Sequence, residues 1–521
     1  MPWNHAQARG PVQWSSALIT ALLVAVAIML RAPFFFDSVI DWDESTYLLM
    51  GSLTNEGHVL YRDFWYANAP GLVLVFSFIS ALSSGSIVVA RLIGAVIVAI
   101  VAFGVFTTCR RIVLDSFQCV GAALITVAFI GLVPSGMAVM SEIIAALFLT
   151  WAIATASTPT SNLMPGAFLL GVLLGLAALC RLNLAYAALA ISAVYVVRSV
   201  IESRQWIQSL KRGSLVALGG LTPVLLAVGY FASKNALEDA WIGNVLAPLA
   251  YAGNQYTSSE LVGRYLPVLV RWPYVLLALP TLAFMTLLPV SLKRLESNQK
   301  WVAVYATAAA AAIFYSMLVG GAGFAHYAMQ IVPSLTLLLV LGMHGIIGRN
   351  LAVERLAMLA IGLVCLTPAI YYSAQKTLAV KKAYVETNTL FNDEGHNAAN
   401  WLEPRIRPGM TLYAFEAHFV YWKLGLKPPT IHIHPSNISK PYLIRLTDGP
   451  GATPTQVLTT IFSTRPDYIL NTTKPVWYLR DDNEALAYVA GQLNESYDLC
   501  VTLGPMQIFH RRTDADSGHC E

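Results

Sequence analysis

Long apolar stretches separated by short polar ones run from Ser16 to Tyr372, and beyond Lys376 that pattern ends. A helix needs roughly 20 apolar residues to cross about 30 Å of hydrocarbon, and stretches near that length predict about eleven spans. They lie near 16–34, 86–108, 116–134, 141–157, 164–180, 182–198, 214–232, 271–291, 301–319, 327–346 and 353–373. Pro70–Ser83 is apolar as well, but it holds only about fourteen residues before Ser84-Gly85-Ser86, which predicts an interfacial or re-entrant helix and not a span. After 376 the periods change. Leu412–Phe415, Tyr468–Leu470 and Gln507–Phe509 read as short strands, and Glu394–Leu402 and Asn483–Leu493 as amphipathic helices. The expectation is an α-helical polytopic membrane module over 1–375, with interfacial helices in its first outward loop, followed by a small soluble α/β domain over 376–521. Hydropathy shows no inverted repeat between the two halves, the usual trace of secondary transporters.

Charge decides which loops face the cytoplasm, because Lys and Arg near the membrane concentrate on that side. With the N-terminus inside, the inner loops hold Arg9, Arg110, Arg111, Arg198, Arg204, Lys211, Arg212, Lys293, Arg294, Lys300, Arg349 and Arg355. The outer side holds fewer: Arg31, Arg62, Arg91, Arg181, Lys234, Arg264 and Arg271. Counting Pro70–Ser83 as a span would put Arg110-Arg111 outside and break the pattern. Phe35–Gly85, Ser233–Val270 and everything after about Ser373 are therefore expected to face outward.

Composition agrees with the pattern. The chain is 56% hydrophobic and 12% charged, with a mean hydropathy of +0.59, whereas soluble domains carry about 25% charged residues. A net charge of +4 over 521 residues, with no run of Lys or Arg, offers no surface for nucleic acid. The N-terminal segment could pass for a signal peptide, but no small-residue cleavage site follows Leu30, so it is read as an uncleaved first span. Cys109, Cys119, Cys180 and Cys365 lie in or beside apolar spans as small packing residues. Only Cys500 and Cys520 could pair, and a bridge there needs an oxidising compartment.

Just past the first span the chain reads Asp41-Trp42-Asp43-Glu44-Ser45-Thr46-Tyr47. Asp43 sits where a helix N-cap would be, with its carboxylate held ionised by backbone N–H groups; a cap with no further role is the alternative. The arrangement Trp-x-Asp-Glu-x-x-Tyr, the aromatic-rich Tyr61-Arg62-Asp63-Phe64-Trp65-Tyr66, then Ala69-Pro70 and an apolar helix, resembles the first loop of the GT-C glycosyltransferases. It is most similar to the branch with lipid A aminoarabinose transferases, protein O-mannosyltransferases and the lipopolysaccharide-core sugar transferases of the RgtA/B/C/D-like group. Ser141-Glu142, Gly171 to Arg181 and Phe324 to Pro333, with His326-Tyr327, resemble further segments of the same family in the same order, so that about 16–375 is covered.

The resemblance implies a polyprenyl-phosphate sugar as donor and an envelope lipid, glycan or protein as acceptor, with membrane lipids around the helices and no nucleic acid. It implies Asp43 as general base, with Glu142 positioning the acceptor or assisting that base and Glu44 binding sugar or a cation; a first-turn acid favoured by the helix dipole is the other reading of Glu142. Tyr47, Asn68, Arg181, His326, Tyr327 and Arg91 are the candidate contacts to substrate. Arg181 is the candidate phosphate ligand, since guanidinium pairs bidentately with phosphate; a structural pair with Glu142 is the other reading. Members of the aminoarabinose branch carry Glu-Lys before the proline, the glutamate being a candidate ligand for a divalent metal ion. Here Asn68-Ala69 stands in that place. His432 and His434 alternate on an expected strand and are read as surface residues. Competing readings are a flippase of lipid-linked sugar and a non-catalytic assembly subunit.

Overall fold

The computed structural model describes residues 15–67, 69–112, 114–158, 163–253, 257, 259–263, 290–320, 324–347, 351–512 and 520. Asn68, Arg9, Arg264, Arg271, Arg349 and nearly all of the expected span 271–291 fall outside them.

A helix forms over every other expected span. The first is α1 (Ser16–Arg31), capped by Ser15, whose side chain accepts from the Leu18 N–H. Two helices of the first loop follow, α2 (Trp42–Asn55) and α3 (Pro70–Ser83), the latter with Pro70 in its first turn and ending at Ser84 in the left-handed region. Next come α4 (Ile87–Arg111), α5 (Ser116–Leu132), α6 (Ser141–Ala156), α7 (Leu163–Cys180), α8 (Ala185–Ser203) and α9 (Trp206–Ser233). Two short helices, α10 (Leu237–Trp241) and α11 (Ala247–Gly253), lead to α12 (Ser297–Gly320), α13 (Val332–Ile347) and α14 (Leu351–Thr387). Among the described residues six helical stretches are long and apolar enough to cross a membrane, and others, α5 to α7 and α13 included, are shorter apolar helices packed among them. The chain is a polytopic membrane protein.

Boundaries differ from expectation where polar residues continue a helix. α9 begins at Trp206 and not near 214, because the Gln, Lys and Arg of its first turns fall outside a hydropathy window yet are good helix formers. α14 runs unbroken through 376 to Thr387. Ala325–Gln330, expected to open a span, is instead a 3₁₀ segment before α13.

The Gly171-x-x-x-Gly175 pair serves packing. A Cβ at Gly171 would strike the Val216 carbonyl, and one at Gly175 the Gly220 carbonyl, so α7 and α9 approach backbone to backbone. That contact fixes the end of α7, where Arg181 emerges. Similarly, Gly51 lets α2 cross the Phe76 carbonyl of α3.

After α14 the chain builds a four-stranded sheet from β1 (Leu412–Ala414), β2 (Tyr468–Thr472), β3 (Tyr497–Leu503) and β4 (Met506–Arg511), in the order β1-β2-β4-β3. β1 and β2 are parallel and the other pairs antiparallel. Period-two alternation divides its side chains. Leu412, Ala414, Leu470 and Ile508 join the apolar core that continues into the helix bundle. Tyr413, Phe415 and Ile469 pack on a separate core with Leu458, Ile461 and Val489. Cys500 and Cys520 are bonded, and Cys109, Cys119, Cys180 and Cys365 are free and buried.

Candidate active site

The α2 N-cap is Asp41, not Asp43: the Asp41 side chain accepts the Asp43 N–H at 2.9 Å. Asp43 therefore sits in the first helical turn with both oxygens free to look outward from the backbone. Its Oδ1 accepts the Tyr66 hydroxyl at 2.7 Å and lies 3.4 Å from His434 Nε2. Its Oδ2 accepts the Tyr47 hydroxyl at 3.2 Å. Tyr47, one helical turn beyond, also lies 3.3 Å from Ser141 Oγ at the start of α6. From Ser141 the contacts continue to Glu142 and Arg181. Arg181 Nη1 reaches Ser141 Oγ at 2.6 Å and Glu142 Oε1 at 2.5 Å, and its guanidinium lies 4.4 Å from the Tyr327 ring centre. His326 Nε2 stands 3.6 Å from the same Glu142 oxygen. Four segments far apart in sequence, those carrying Asp43 and Tyr47, Glu142, Arg181, and His326 and Tyr327, thus meet in one cluster.

Exposure separates the two acids of that cluster. The Asp43 side chain is 19% exposed and that of Glu142 is 0%, so Asp43 is the acid within reach of an incoming molecule, while Glu142 anchors Arg181 and His326. Burial pushes the Asp43 carboxyl up, but the His434 and Tyr66 hydrogen bonds and the nearby imidazoles outweigh it and hold it well below the usual carboxylate range. Asp41 moves the other way. Its burial and the charge of Asp43 raise it to about 6, although Ser135 Oγ donates to it at 2.5 Å.

Solved structures resemble the whole chain. The crystal structure of ArnT from Cupriavidus metallidurans bound to undecaprenyl phosphate superposes with a TM-score of 0.60 at 12% identity, over 96% of this chain and 99% of that one. The apo ArnT from the same organism gives 0.56 at 13% identity, over 95% and 97%. The chain shares the fold of these structures. No family model and no curated protein sequence matches it.

Two of the expected site residues lie outside the cluster around Asp43. Glu44 and Arg91 form a sealed pair: Arg91 Nη2 reaches Glu44 Oε2 at 2.6 Å, the Val139 N–H donates to Oε1 at 2.7 Å, and both side chains are at most 1% exposed. Arg91 Nη1 is taken by the Phe34 and Asp37 carbonyls. With its lone pairs engaged and no solvent face, Glu44 is a structural acid, not a sugar or cation ligand, and Arg91 holds the loop to α4.

His432 and His434 are a second correction. Neither is a surface residue or on a strand; both are buried. His432 Nε2 lies 2.7 Å from Asp448, and its backbone bridges to Trp65, whose N–H donates to the Ile431 carbonyl at 2.6 Å. That pairing seats the segment on the first loop and delivers His434 to Asp43. The only sequence signal was the alternation of the two histidines, which shows a shared side without telling what covers it.

Tyr66, Tyr251 and Lys440 complete the surroundings. The Tyr66 ring stacks on His434 at 4.9 Å, and Lys440 Nζ lies 5.7 Å from the Tyr251 ring centre. Burial pulls the Lys440 ammonium below its ordinary range despite the nearby Asp43 charge. Among the described residues no three His, Cys, Asp or Glu converge to hold the divalent ion implied by the resemblance.

Proposed function

We propose that the chain is a membrane glycosyltransferase that moves a sugar from a polyprenyl-phosphate donor to an envelope lipid, glycan or protein acceptor. Transfer takes place on the extracytoplasmic face of the inner membrane, with the N-terminus cytoplasmic and the residues after 376 outside. The observation that carries this reading is the partly exposed Asp43 carboxylate, joined through Tyr47 and Ser141 to Glu142, Arg181 and His326, within a fold shared with ArnT. The undecaprenyl phosphate held by ArnT is a lipid of the class this cluster would receive.

In the step itself the acceptor oxygen forms a bond to the anomeric carbon as the bond from that carbon to the phosphate oxygen breaks. The electron pair leaves with the phosphate, and the acceptor proton passes to Asp43. A single displacement of this kind inverts the anomeric centre. The phosphate is a stable leaving group without protonation, so the acceptor hydroxyl becomes acidic late in the step, and a carboxylate that is ionised beforehand is ready to take that proton. Arg181 is oriented by Glu142, Ser141 and Tyr327 to meet the phosphate with a fixed cation. His326, tied to the same carboxylate, stands beside it.

Purified protein incubated with radiolabelled polyprenyl-phosphate sugars and envelope acceptors tests the reading. Label is expected in the acceptor with wild type and absent with Asp43→Asn of unchanged melting temperature. Movement of labelled lipid across a bilayer with no covalent transfer would overturn it in favour of a flippase.

A further inference from the structure

The C-terminal segment that reaches Asp43 comes from outside the helix bundle, and its contact is specific in a way that reveals a protonation state. His434 caps the 3₁₀ segment Pro435–Ser439. Its Nδ1 accepts the Ser436 backbone N–H at 3.3 Å and faces Ser436 Oγ at 2.8 Å. A backbone N–H can only donate, so Nδ1 carries a lone pair, and an imidazolium, which has protons on both nitrogens, does not fit. The remaining proton is on Nε2, the atom 3.4 Å from Asp43 Oδ1. The Tyr66 ring lies parallel to the imidazole, 3° between planes, and its hydroxyl donates to the same Oδ1.

Oδ1 therefore faces two segments, the Tyr66 phenol at 2.7 Å and the His434 Nε2 at 3.4 Å. Oδ2 has a single contact, from Tyr47 at 3.2 Å, on the side of Ser141, Glu142 and Arg181. We propose that His434 is a positioning residue for the reacting acid: locked as the neutral Nε2–H tautomer, it clamps Asp43 Oδ1 so that Oδ2 is the oxygen that takes the acceptor proton. The role rests on the transferase reading above and extends it, because the catalytic acid is then held by a segment beyond the membrane module.

Other groups also bear on Asp43. Asp41 and Tyr47 come from its own helix, Tyr66 from the first loop, His326 and Tyr327 from the segment before α13, Tyr251 from α11, and Lys440 from the same C-terminal segment as His434. Of these, Tyr66 stacks on the His434 ring, so the comparison of two variants that both lose the ring, one with a donor and one without, separates the donor from the stack.

The test uses the full chain in lipid nanodiscs and the pH profile of kcat/KM. His434→Leu removes the donor and keeps the bulk; the expected loss is ~10- to 100-fold, the worth of a hydrogen bond to a charged group. Asp43 then protonates more readily, so the acid limb moves to higher pH by about half to one unit. His434→Gln places an amide N–H at similar reach and is expected to restore both the rate, to within about threefold, and the limb. Equal losses in both variants with the limb unmoved would reduce His434 to packing and overturn the role. Histidine ¹⁵N spectra of wild type against His434→Gln supply a reading independent of activity. An unprotonated Nδ1 between pH 6 and 8 is expected, and a doubly protonated ring would overturn the tautomer. No transfer by wild type under any donor sinks the transferase reading and this role together, whereas robust transfer with an unmoved limb sinks this role alone.

Discussion

Asp43 and Glu44 are adjacent on one helical turn and have opposite fates. Glu44 meets a guanidinium, a backbone N–H and no solvent; Asp43 meets two phenols and an imidazole and keeps an open face. A cation cancels the charge it binds, while neutral donors steady a carboxylate and leave its charge in place. The first arrangement suits a brace and the second a reagent. Glu142 lies between the two: it is as sealed as Glu44, yet its cation, Arg181, is partly exposed and so still offers charge to a ligand.

The sharpest way to break this comparison is on the reagent. Asp43→Asn is expected to lower transfer by about 10²- to 10⁴-fold, the usual worth of a general base, with melting unchanged. Glu44→Gln should leave transfer per folded molecule intact, and the ratio of radiolabel transferred to folded protein checks both. Next is the brace. Arg91→Met strands a buried carboxylate and should cost about 3–5 kcal/mol, read as a drop in melting temperature, with most of it regained in Glu44→Leu/Arg91→Met. Full melting stability in the single variant would show that the pair is not closed.

Arg181→Lys keeps the charge but loses the planar fork, and a roughly tenfold rise in KM for the lipid donor is expected. The smallest effect concerns the cap. Asp41, raised to about 6 from its ordinary 3.8, prefers its proton in the folded state, so its penalty is absent below about pH 4 and grows as pH rises through about 6. Asp41→Asn keeps a capping side chain and should stabilise the protein by about 3 kcal/mol at pH 8 and by nothing at pH 4. A pH-independent difference in melting would sink that assignment.

Much of this geometry was legible in the sequence, for reasons that also mark its limits. Hydropathy found the helices because each buries apolar surface along its own length. The motif residues Asp43, Glu142, Arg181, His326 and Tyr327 fall near helix ends, where a polar residue in an apolar chain stands out. The cap was misplaced because Asp41 and Asp43 are two residues apart and either can cap; only the fold shows which backbone N–H is met. Glu44 and Arg91 carried the same charge signal as the site and lie outside it, since pairing across α2 and α4 is not written in either segment. β3 was missed because its exposed Asp498 and Leu499 leave no clean alternation in an edge strand. His434 was illegible for the strongest reason: its role comes from the Trp65 and Ile431 backbone pairing, a contact between remote segments.

The length of α14 has a mechanical consequence. Its 37 residues make a rod of about 55 Å at 1.5 Å per residue, far more than the ~30 Å of hydrocarbon. Beyond the length that hydrocarbon requires, the helix is pinned to the first loop, where Lys376 Nζ meets Asp37 at 2.6 Å. The sheet region is thus carried on a stiff mast, not a slack tether. The Trp65 N–H bond to the Ile431 carbonyl ties the same region to the first loop, so it is fixed at two points and does not swing as a free body.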